Sequence, residues 1–220
     1  MIKAVLCDID GTLVESNWLH AEAWRKAFAE MGLKLETEEI RRQIGKGGDQ
    51  LIPVFVPWWK VKRVEEPLKE LQKFIFEKEY LHQVRAIPMV REFMVRLRER
   101  GIRSALASSA SKKDVALFQK IANIEDLIEE ESSADDADRS KPHPDIFQVT
   151  LRRLGLKPNE VLAIGDTPYD AEAAGKAGVL TIGVTTGGWS REELLAAGCV
   201  EVYKDIGELL DRFDESALVR

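Results

Sequence analysis

The sequence contains little cysteine and no long hydrophobic run. Its two cysteines, Cys7 and Cys199, lie far apart in apolar surroundings. A disulfide framework needs more cysteines, so we expect two buried thiols in a reducing cytoplasm. The longest apolar run, residues 51–59, is too short to span a bilayer, and the first residues become acidic at Asp8, unlike a signal peptide. These features predict a soluble, cytoplasmic protein with no membrane partner.

An excess of positive charge is also absent. The chain has 32 Lys and Arg against 38 Asp and Glu, which gives a net charge of −6. Because no basic face stands out to neutralise phosphates, nucleic acid is not an expected partner. A small anionic substrate remains compatible with this charge, since a few cations and a metal ion can reverse the sign locally. The 220 residues allow one large domain, or one domain with an insertion.

Short apolar runs alternate with longer amphipathic stretches over most of the chain. The apolar runs predict strands at 2–6, 103–107, 161–164 and 179–184. The amphipathic stretches predict helices at 88–100, 112–122, 144–154 and 169–177. Strands separated by helices of this length indicate right-handed crossovers. We therefore predict an α/β protein with a Rossmann-like, doubly wound parallel sheet and helices on both faces.

Residues 17–83 break this alternation. Their pattern is helical almost throughout, and one long helix is expected to begin near Pro67 or a little before. We predict an all-helical insertion placed directly after the first strand. Residues 15–83 would form this insertion, and residues 1–14 together with 84–220 would form the α/β core.

Two aspartates follow the first predicted strand, in the run Asp8-Ile9-Asp10-Gly11-Thr12. In open parallel sheets, ligands bind outside the carboxyl ends of the strands. Two carboxylates at such an end can enter one crevice, where one attacks phosphorus and the other protonates the departing alkoxide. A solvated Asp-Gly turn has the same composition, so this run alone leaves both interpretations open.

One later strand end and one loop offer further groups for binding a phosphate. Ser108 closes the strand at 103–107, and its hydroxyl can bind phosphoryl oxygens together with the next backbone amides, although Ser109 and Ser111 compete for that role. Lys141 is followed by two prolines and could neutralise both a nucleophile and a phosphate. A helix cap and a surface lysine are the plain alternatives.

Two more carboxylates, Asp166 and Asp170, follow the predicted strand at 161–164. Carboxylates four residues apart at a strand-to-helix turn can meet around one hard cation. Magnesium prefers oxygen ligands and commonly keeps a substrate phosphate among them. An Asp-capped helix would explain this spacing equally well. The occurrence of all these features at strand ends, in this order, favours a phosphoryl-transfer site.

These motifs resemble those of the haloacid dehalogenase superfamily of phosphotransferases. The matching features are the D-x-D-G-T run, the strand-terminal Ser, the isolated Lys and the G-D-x-x-x-D run. The segment 8–16, followed by the run 20–24, resembles the branch that contains phosphoglycolate phosphatases and β-phosphoglucomutase. The resemblance spans almost the whole chain, and within it the helical insertion resembles the family's α-helical cap.

The resemblance implies a role for each motif residue. Asp8 would attack the phosphoryl group and form an aspartyl-phosphate, and Asp10 would protonate the leaving oxygen and then activate water. Thr12 would orient the turn beside the phosphate, and Ser108 and Lys141 would hold the phosphoryl oxygens. Magnesium would be bound by Asp8, the Asp10 backbone carbonyl and Asp166, with Asp170 as a ligand or as support.

The cap is expected to select the substrate. His20 resembles a histidine that mutase-like members carry near the hinge, where it gates or positions Asp10; a partly buried hinge histidine is the alternative. Lys46 and Gly47 fall where caps of this type present a substrate-reading loop, or they belong to a flexible connection. In segment 54–59 we expect the aromatic residues to pack the cap's own core; a dimer contact or an apolar substrate wall are alternatives.

We therefore expect a magnesium-dependent phosphatase that acts on a small phosphorylated metabolite, as a monomer or homodimer. A β-phosphoglucomutase-like phosphotransferase is the enzymatic alternative. The mutase pattern has a Glu-Asp pair where this chain has Gly165-Asp166, which favours the phosphatase. A receiver-like phospho-acceptor module is a non-enzymatic alternative, but its acceptor aspartate lies mid-chain and not at residue 8. The identity of the substrate stays open.

Overall fold

A six-stranded parallel sheet forms the centre of the molecule, and a computed structural model describes all 220 residues. From one edge to the other, the strands are β5 (Glu130–Ser132), β4 (Arg103–Ala107), β1 (Ala4–Cys7), β6 (Val161–Gly165), β7 (Leu180–Val184) and β8 (Cys199–Tyr203). Every neighbouring pair is parallel. A separate antiparallel pair joins β2 (Val14–Glu15) to β3 (Arg85–Ala86).

The helices fall into two groups. Those between β2 and β3 are α1 (Asn17–Glu30), α2 (Thr37–Arg41), α3 (Gly48–Phe55) and α4 (Trp58–Ile75), with a π-helical turn at Phe76–Tyr80. Those that alternate with the strands are α5 (Val90–Glu99), α6 (Lys112–Ala122), α7 (Asp145–Leu154), α8 (Pro168–Lys176), α9 (Arg191–Ala196) and α10 (Ile206–Asp211). None of the helices combines the length and apolar character that crossing a bilayer requires.

The central strand β1 shows how the sheet is covered on both sides. Val5 and Cys7 lie in the larger apolar cluster, whereas Ala4 and Leu6 lie in a second cluster on the opposite face. Side chains alternate between faces along a strand, so a continuous apolar run must bury both. Full burial of one such leucine stabilises the fold by about 2 kcal/mol. The predicted doubly wound α/β fold is confirmed.

The four predicted strands are present, whereas β5 and β8 were not expected. The sequence of β5, Glu-Glu-Ser, has no apolar run, because β5 is an edge strand that pairs only with β4 and keeps its glutamates half-buried. At the opposite edge, β8 reads Cys-Val-Glu-Val-Tyr, and its polar middle residue interrupts the apolar pattern. The apolar runs that predict buried strands are therefore missing from these two edge strands.

Two sequence expectations about the helical segment are wrong. The long helix α4 begins at Trp58, not near Pro67, which lies inside it. Its first half is mostly exposed, and only Val61 and Val64 pack against the core there, partly buried, so the apolar periodicity is weak before Leu68. Trp58 and Trp59 do not pack the cap core: they are 82% and 65% exposed, because the first turn of α4 projects into solvent, and their rings meet edge-on. Phe55, from the same segment, does pack against the core.

The β2–β3 pair lies at both ends of the helical segment. Val14 pairs with Ala86 and Glu15 with Arg85, so the chain leaves the core and returns to it side by side. Within the segment, Phe28 of α1 stacks with Trp24 at 5.6 Å between ring centroids and meets Phe55 of α3 edge-on at 5.4 Å. We keep the division into a core (1–14 and 84–220) and a cap (15–83) as a proposal.

Candidate active site

The loop after β1 brings the first two aspartates to the carboxyl edge of the sheet. Asp8 is buried, and its backbone N–H donates to the carbonyl of Ile164 on the neighbouring β6 at 2.9 Å. Gly11 then turns the chain with φ of +79°, and a Cβ there would overlap the side chains of Asp166 and Asn17. Only glycine satisfies both the dihedral angle and the close approach.

Lys141 lies beneath Asp8 and is completely buried. Its Nζ is 2.5 Å from Oδ1 of Asp8 and 2.7 Å from Oδ1 of Asp170. Burial lowers the pKa of this lysine, but the charges of Asp170 and Asp8 and their hydrogen bonds outweigh burial and raise it above its ordinary value. A buried ammonium is tolerated only when it is paired in this way. Lys141 is therefore a fixed positive charge next to Asp8.

Three carboxylates meet at this edge of the sheet, two of them paired with Lys141, and we call Asp8, Asp166 and Asp170 the aspartate cluster. One carboxylate oxygen from each lies within 4.8 Å of the others, and all three residues are buried. Asp166 is oriented by Thr12 Oγ1 at 3.0 Å and by Asn17 Nδ2 at 2.6 Å. The other oxygen of Asp170, Oδ2, accepts hydrogen bonds from Thr167 and caps α8.

The aspartate cluster carries more negative charge than Lys141 offsets. Burial raises the pKa of Asp8 to about 7, although Lys141 opposes this rise. Burial, followed by the charges of Asp170 and Asp8, raises the pKa of Asp166 well above its usual range. An all-oxygen set of crowded carboxylates is the donor set of a hard divalent cation, whose charge would remove this repulsion. The residues present therefore fit a divalent metal.

Asp10 lies in a different environment from the cluster. Its Oδ1 accepts a hydrogen bond from Ser16 Oγ at 2.5 Å and lies 3.1 Å from Nε2 of His20. Burial acts to raise the pKa of Asp10, but His20 and Ser16 together lower it below its ordinary value. The His20 ring stacks on Phe76, with centroids 3.9 Å apart, and Gln72 Nε2 lies 3.4 Å from its Nδ1.

The predicted hydroxyl groups lie in different positions relative to the site. Thr12 is buried against Asp166 and does not face the cavity above Asp8. Ser108 is also buried, and its Oγ accepts the backbone N–H of Ala110 at 3.0 Å. Its competitors Ser109 and Ser111 line the cavity itself. Of the three serines, these two have the access that a substrate phosphate would need in this conformation.

A cavity of about 220 Å³ lies between the sheet edge and the helical segment. On the sheet side it exposes Asp8 and Asp10. On the opposite side its charged residues are Lys46, Lys69 and Lys73, which we call the cap lysines. Burial lowers the pKa of Lys46, whose Nζ lies 4.5 Å from the ring centroid of Tyr169.

Lys46 and Gly47 lie in the loop predicted to read the substrate, and this loop approaches the core closely. Gly47 is packed so tightly against Ser140 that a Cβ would overlap its side chain. Lys69, Gln72 and Lys73 were not predicted as site residues. They share one face of α4 at helical spacing, a pattern that is also typical of a solvated surface.

Comparison with known sequences decides the family. Residues 5–184 match the profile of the family described as haloacid dehalogenase-like hydrolase. The chain belongs to this family. It is 30% identical over 193 residues to a phosphoglycolate phosphatase of Mannheimia succiniciproducens, covering 84% of this chain and 86% of that protein. It is 29% identical over 228 residues to the protein CbbY of Cereibacter sphaeroides, covering 98% and 94%.

A solved structure shares the fold over almost the full chain. A hydrolase from Pseudomonas syringae superposes with a TM-score of 0.91 at 28% identity, covering 98% of this chain and 99% of that one. The resemblance predicted from the motifs is thus confirmed, and the chain is a phosphatase of the haloacid dehalogenase-like hydrolase family.

Proposed function

We propose that this haloacid dehalogenase-like phosphatase hydrolyses a small phosphate monoester with Mg²⁺, through an aspartyl-phosphate on Asp8. The observation that carries the proposal is the ion pair of Asp8 with the buried Lys141, at 2.5 Å, inside the aspartate cluster. A carboxylate cannot approach a phosphate dianion unless nearby cations offset the repulsion. Lys141 is a fixed cation in that position.

The proposed reaction has two half-reactions. In the first, a carboxylate oxygen of Asp8 bonds to phosphorus while the ester P–O bond breaks, and Asp10 donates a proton to the departing alkoxide. In the second, Asp10 takes a proton from water, the water oxygen bonds to phosphorus, and the Asp8–phosphorus bond breaks to release inorganic phosphate. The contacts of Asp10 with Ser16 and His20 support this role by holding its carboxylate at the cavity wall.

The residues that would hold Mg²⁺ are Asp8, Asp166 and the backbone carbonyl of Asp10. Asp170 lies within the same cluster, but its contacts with Lys141 and Thr167 favour a supporting role. Magnesium, when bound, would offset the charge of the carboxylates and of the phosphoryl oxygens. Thr12 and Asn17 would then keep Asp166 directed at the site.

A small, anionic substrate suits the cavity. Its volume of about 220 Å³ accommodates a small metabolite, and the cap lysines give its far wall a positive charge. The phosphoglycolate named by the Mannheimia relative is one such anion, so it belongs among the first compounds to test.

A mutase is the second candidate, and the contact of His20 with Asp10 at 3.1 Å favours it. The glutamate of the mutase pattern, however, has no room here. Gly165 is packed against Asp170 so closely that even a Cβ would overlap that side chain. Formation of an isomer in the presence of a bisphosphate activator, with little phosphate release, would establish the mutase.

The experiment is a panel of phosphate monoesters assayed with Mg²⁺, using wild type, Asp8→Asn and Asp10→Asn. Asp126→Asn is the matched control, because Asp126 is an exposed aspartate paired with Arg91 at 2.7 Å. We expect phosphate release by wild type and the control, and a loss of at least about 10³-fold in Asp8→Asn. Full activity in Asp8→Asn, or no release from any compound by wild type, would contradict the proposal.

A further inference from the structure

Two adjacent arginines at the end of α2 reach from the helical segment to the α/β core. Arg41 Nη1 donates to the backbone carbonyl of Gly187 at 2.6 Å, and its side chain is only 13% exposed. Arg42 Nη2 lies 2.6 Å from Oε1 of Glu193. Neither core partner belongs to the aspartate cluster, and the proposed reaction uses neither arginine.

Arg42 is held by three different contacts. Its guanidinium lies over the ring of Trp189, 3.8 Å from the centroid, and its backbone carbonyl accepts the hydroxyl of Tyr169 at 2.6 Å. Tyr169 and Trp189 meet edge-on with centroids 6.0 Å apart. An exposed ion pair alone contributes little, but a planar guanidinium that also stacks on an aromatic ring is oriented in advance.

The core side of these contacts is connected to the proposed catalytic centre. Gly187 packs on Asp166 so tightly that a Cβ would overlap its carboxylate. The preceding residue, Thr186, donates its hydroxyl to the backbone carbonyl of Gly11 at 2.5 Å. The loop that Arg41 binds is therefore in contact with the loop after β1, which carries Asp8, and with the metal site that we propose.

The cap side of the contacts leads directly into the cavity wall. Residues 44–48 follow the two arginines in the chain and line the cavity. The other polar contacts between this loop and the core are few: Lys46 Nζ lies over the ring of Tyr169, and Ser109 Oγ donates to the Gly45 carbonyl at 3.4 Å. Just beyond the loop, Asp49 accepts the backbone N–H of Ser140 at 3.2 Å. The position of Lys46 over the site thus depends strongly on what holds the end of α2.

We propose that Arg41 and Arg42 are positioning residues that clamp the cap onto the core and fix the loop 44–48 over Asp8 and Asp10. This inference rests on the proposed function for its kinetic effect, but not for its structural one. The clamp keeps the binding-competent, closed arrangement populated before substrate arrives. Without the clamp, the protein is divided between closed and open forms. The apparent affinity for substrate is then the affinity of the closed form multiplied by the fraction of molecules that are closed.

The test compares Arg42→Ala with Arg25→Ala. Arg25 makes a similar Arg–Glu pair, with Glu22 at 2.9 Å, but entirely within α1. We expect KM for the best substrate to rise about tenfold in Arg42→Ala, with kcat changed less than about threefold, and no change in the control. Arg42→Lys keeps the charge and loses the flat stacking, so an intermediate KM is expected. Glu193→Gln combined with Arg42→Ala should be no worse than Arg42→Ala alone.

Hydrogen exchange of the unliganded protein provides a readout that needs no turnover. Amides of residues 44–48 should exchange faster in Arg42→Ala than in wild type and Arg25→Ala, at unchanged resistance to urea. Unchanged exchange and unchanged KM would overturn the clamp, as would equal effects in Arg25→Ala. If wild type hydrolyses no phosphate ester, the proposed function fails, and the exchange result still decides for or against the clamp.

Discussion

The two walls of the cavity differ in how firmly their charged groups are held. On the core side, the aspartate cluster and Lys141 are almost completely buried. Lys141 pairs with Asp8 and Asp170, and Asp166 is held by hydrogen bonds from neighbouring core and hinge side chains. On the cap side, the cap lysines are partly or fully exposed, and Lys69 is paired only with glutamates of its own helix. A rigid wall holds the reacting groups in one geometry, whereas long, exposed side chains can contact and select a substrate. Replacing residues on each wall tests this difference.

The largest effect is expected from Lys141→Met. The change removes the one cation within the aspartate cluster and leaves its carboxylates uncompensated. Without metal, the free energy of unfolding should fall by about 3–5 kcal/mol, and activity with Mg²⁺ should fall at least about 10²-fold. Urea unfolding in a chelator and phosphate release measure the two effects.

Lys176→Met is the matched control for that change. Lys176 is an exposed lysine 2.8 Å from Glu172, and loss of its ion pair should cost about 0–1 kcal/mol. Equal stability of the two variants would show that the cluster does not depend on its lysine. The core wall would then not be the rigid one.

An intermediate effect is expected from His20→Phe. Phenylalanine keeps the stacking on Phe76 but removes the nitrogen that lies 3.1 Å from Asp10. The pKa of Asp10, which His20 helps to hold below its ordinary value, should rise. Because Asp10 must be protonated in the first half-reaction, the basic limb of the kcat/KM profile should therefore move to higher pH, and kcat should fall about tenfold because Asp10 loses a contact that holds it in place. His82→Phe, at an exposed histidine, should change neither quantity. An unmoved basic limb would mean that His20 only packs.

A smaller effect is expected on thermal stability when the pH is varied with the metal removed. Burial raises the pKa of Asp8 to about 7, so this carboxyl favours the folded state below its unfolded pKa, and that contribution is lost as pH rises through about 7. In a chelator, the Tm should be a few degrees lower at about pH 8 than at about pH 5. Added Mg²⁺ should raise the Tm more at the higher pH. Thermal unfolding measures this; a Tm shift by Mg²⁺ that is equal at both pH values would contradict the account.

The smallest effects are expected on the cap wall. Lys46→Ala and Lys69→Ala should each raise KM about three- to tenfold for an anionic substrate and leave kcat within about twofold, because these side chains contribute binding and not chemistry. Lys60→Ala, on the exposed first half of α4, is the control. A fall in kcat with unchanged KM would place a cap lysine in the reaction itself.

The core wall could be predicted from sequence because its residues follow a topological rule. Asp8 and Asp166 come directly after apolar strands, and parallel strands present their carboxyl ends at one edge. The structure brings both together with Asp170 and Lys141, four residues that the sequence had singled out. The orienting role of Asn17 was not predicted, since nothing in its local sequence distinguishes it from a helix cap.

The cap wall and the clamp could not be predicted in the same way. Lys69 and Lys73 belong to an amphipathic helix whose charged face resembles any solvated surface. Arg42 and its partner Trp189 are far apart in the chain, and no spacing rule joins them. Their roles depend on how the helical segment packs against the core, which is a tertiary property.

Trapping of the covalent intermediate tests the central claim most directly. Wild type would be mixed with its best substrate and Mg²⁺, quenched rapidly in acid and digested, and the peptide containing Asp8 weighed by mass spectrometry. We predict one added phosphoryl group on Asp8, absent from Asp8→Asn and from wild type without substrate. Turnover with no phosphoryl group on this peptide, or with one on another residue, would contradict the account.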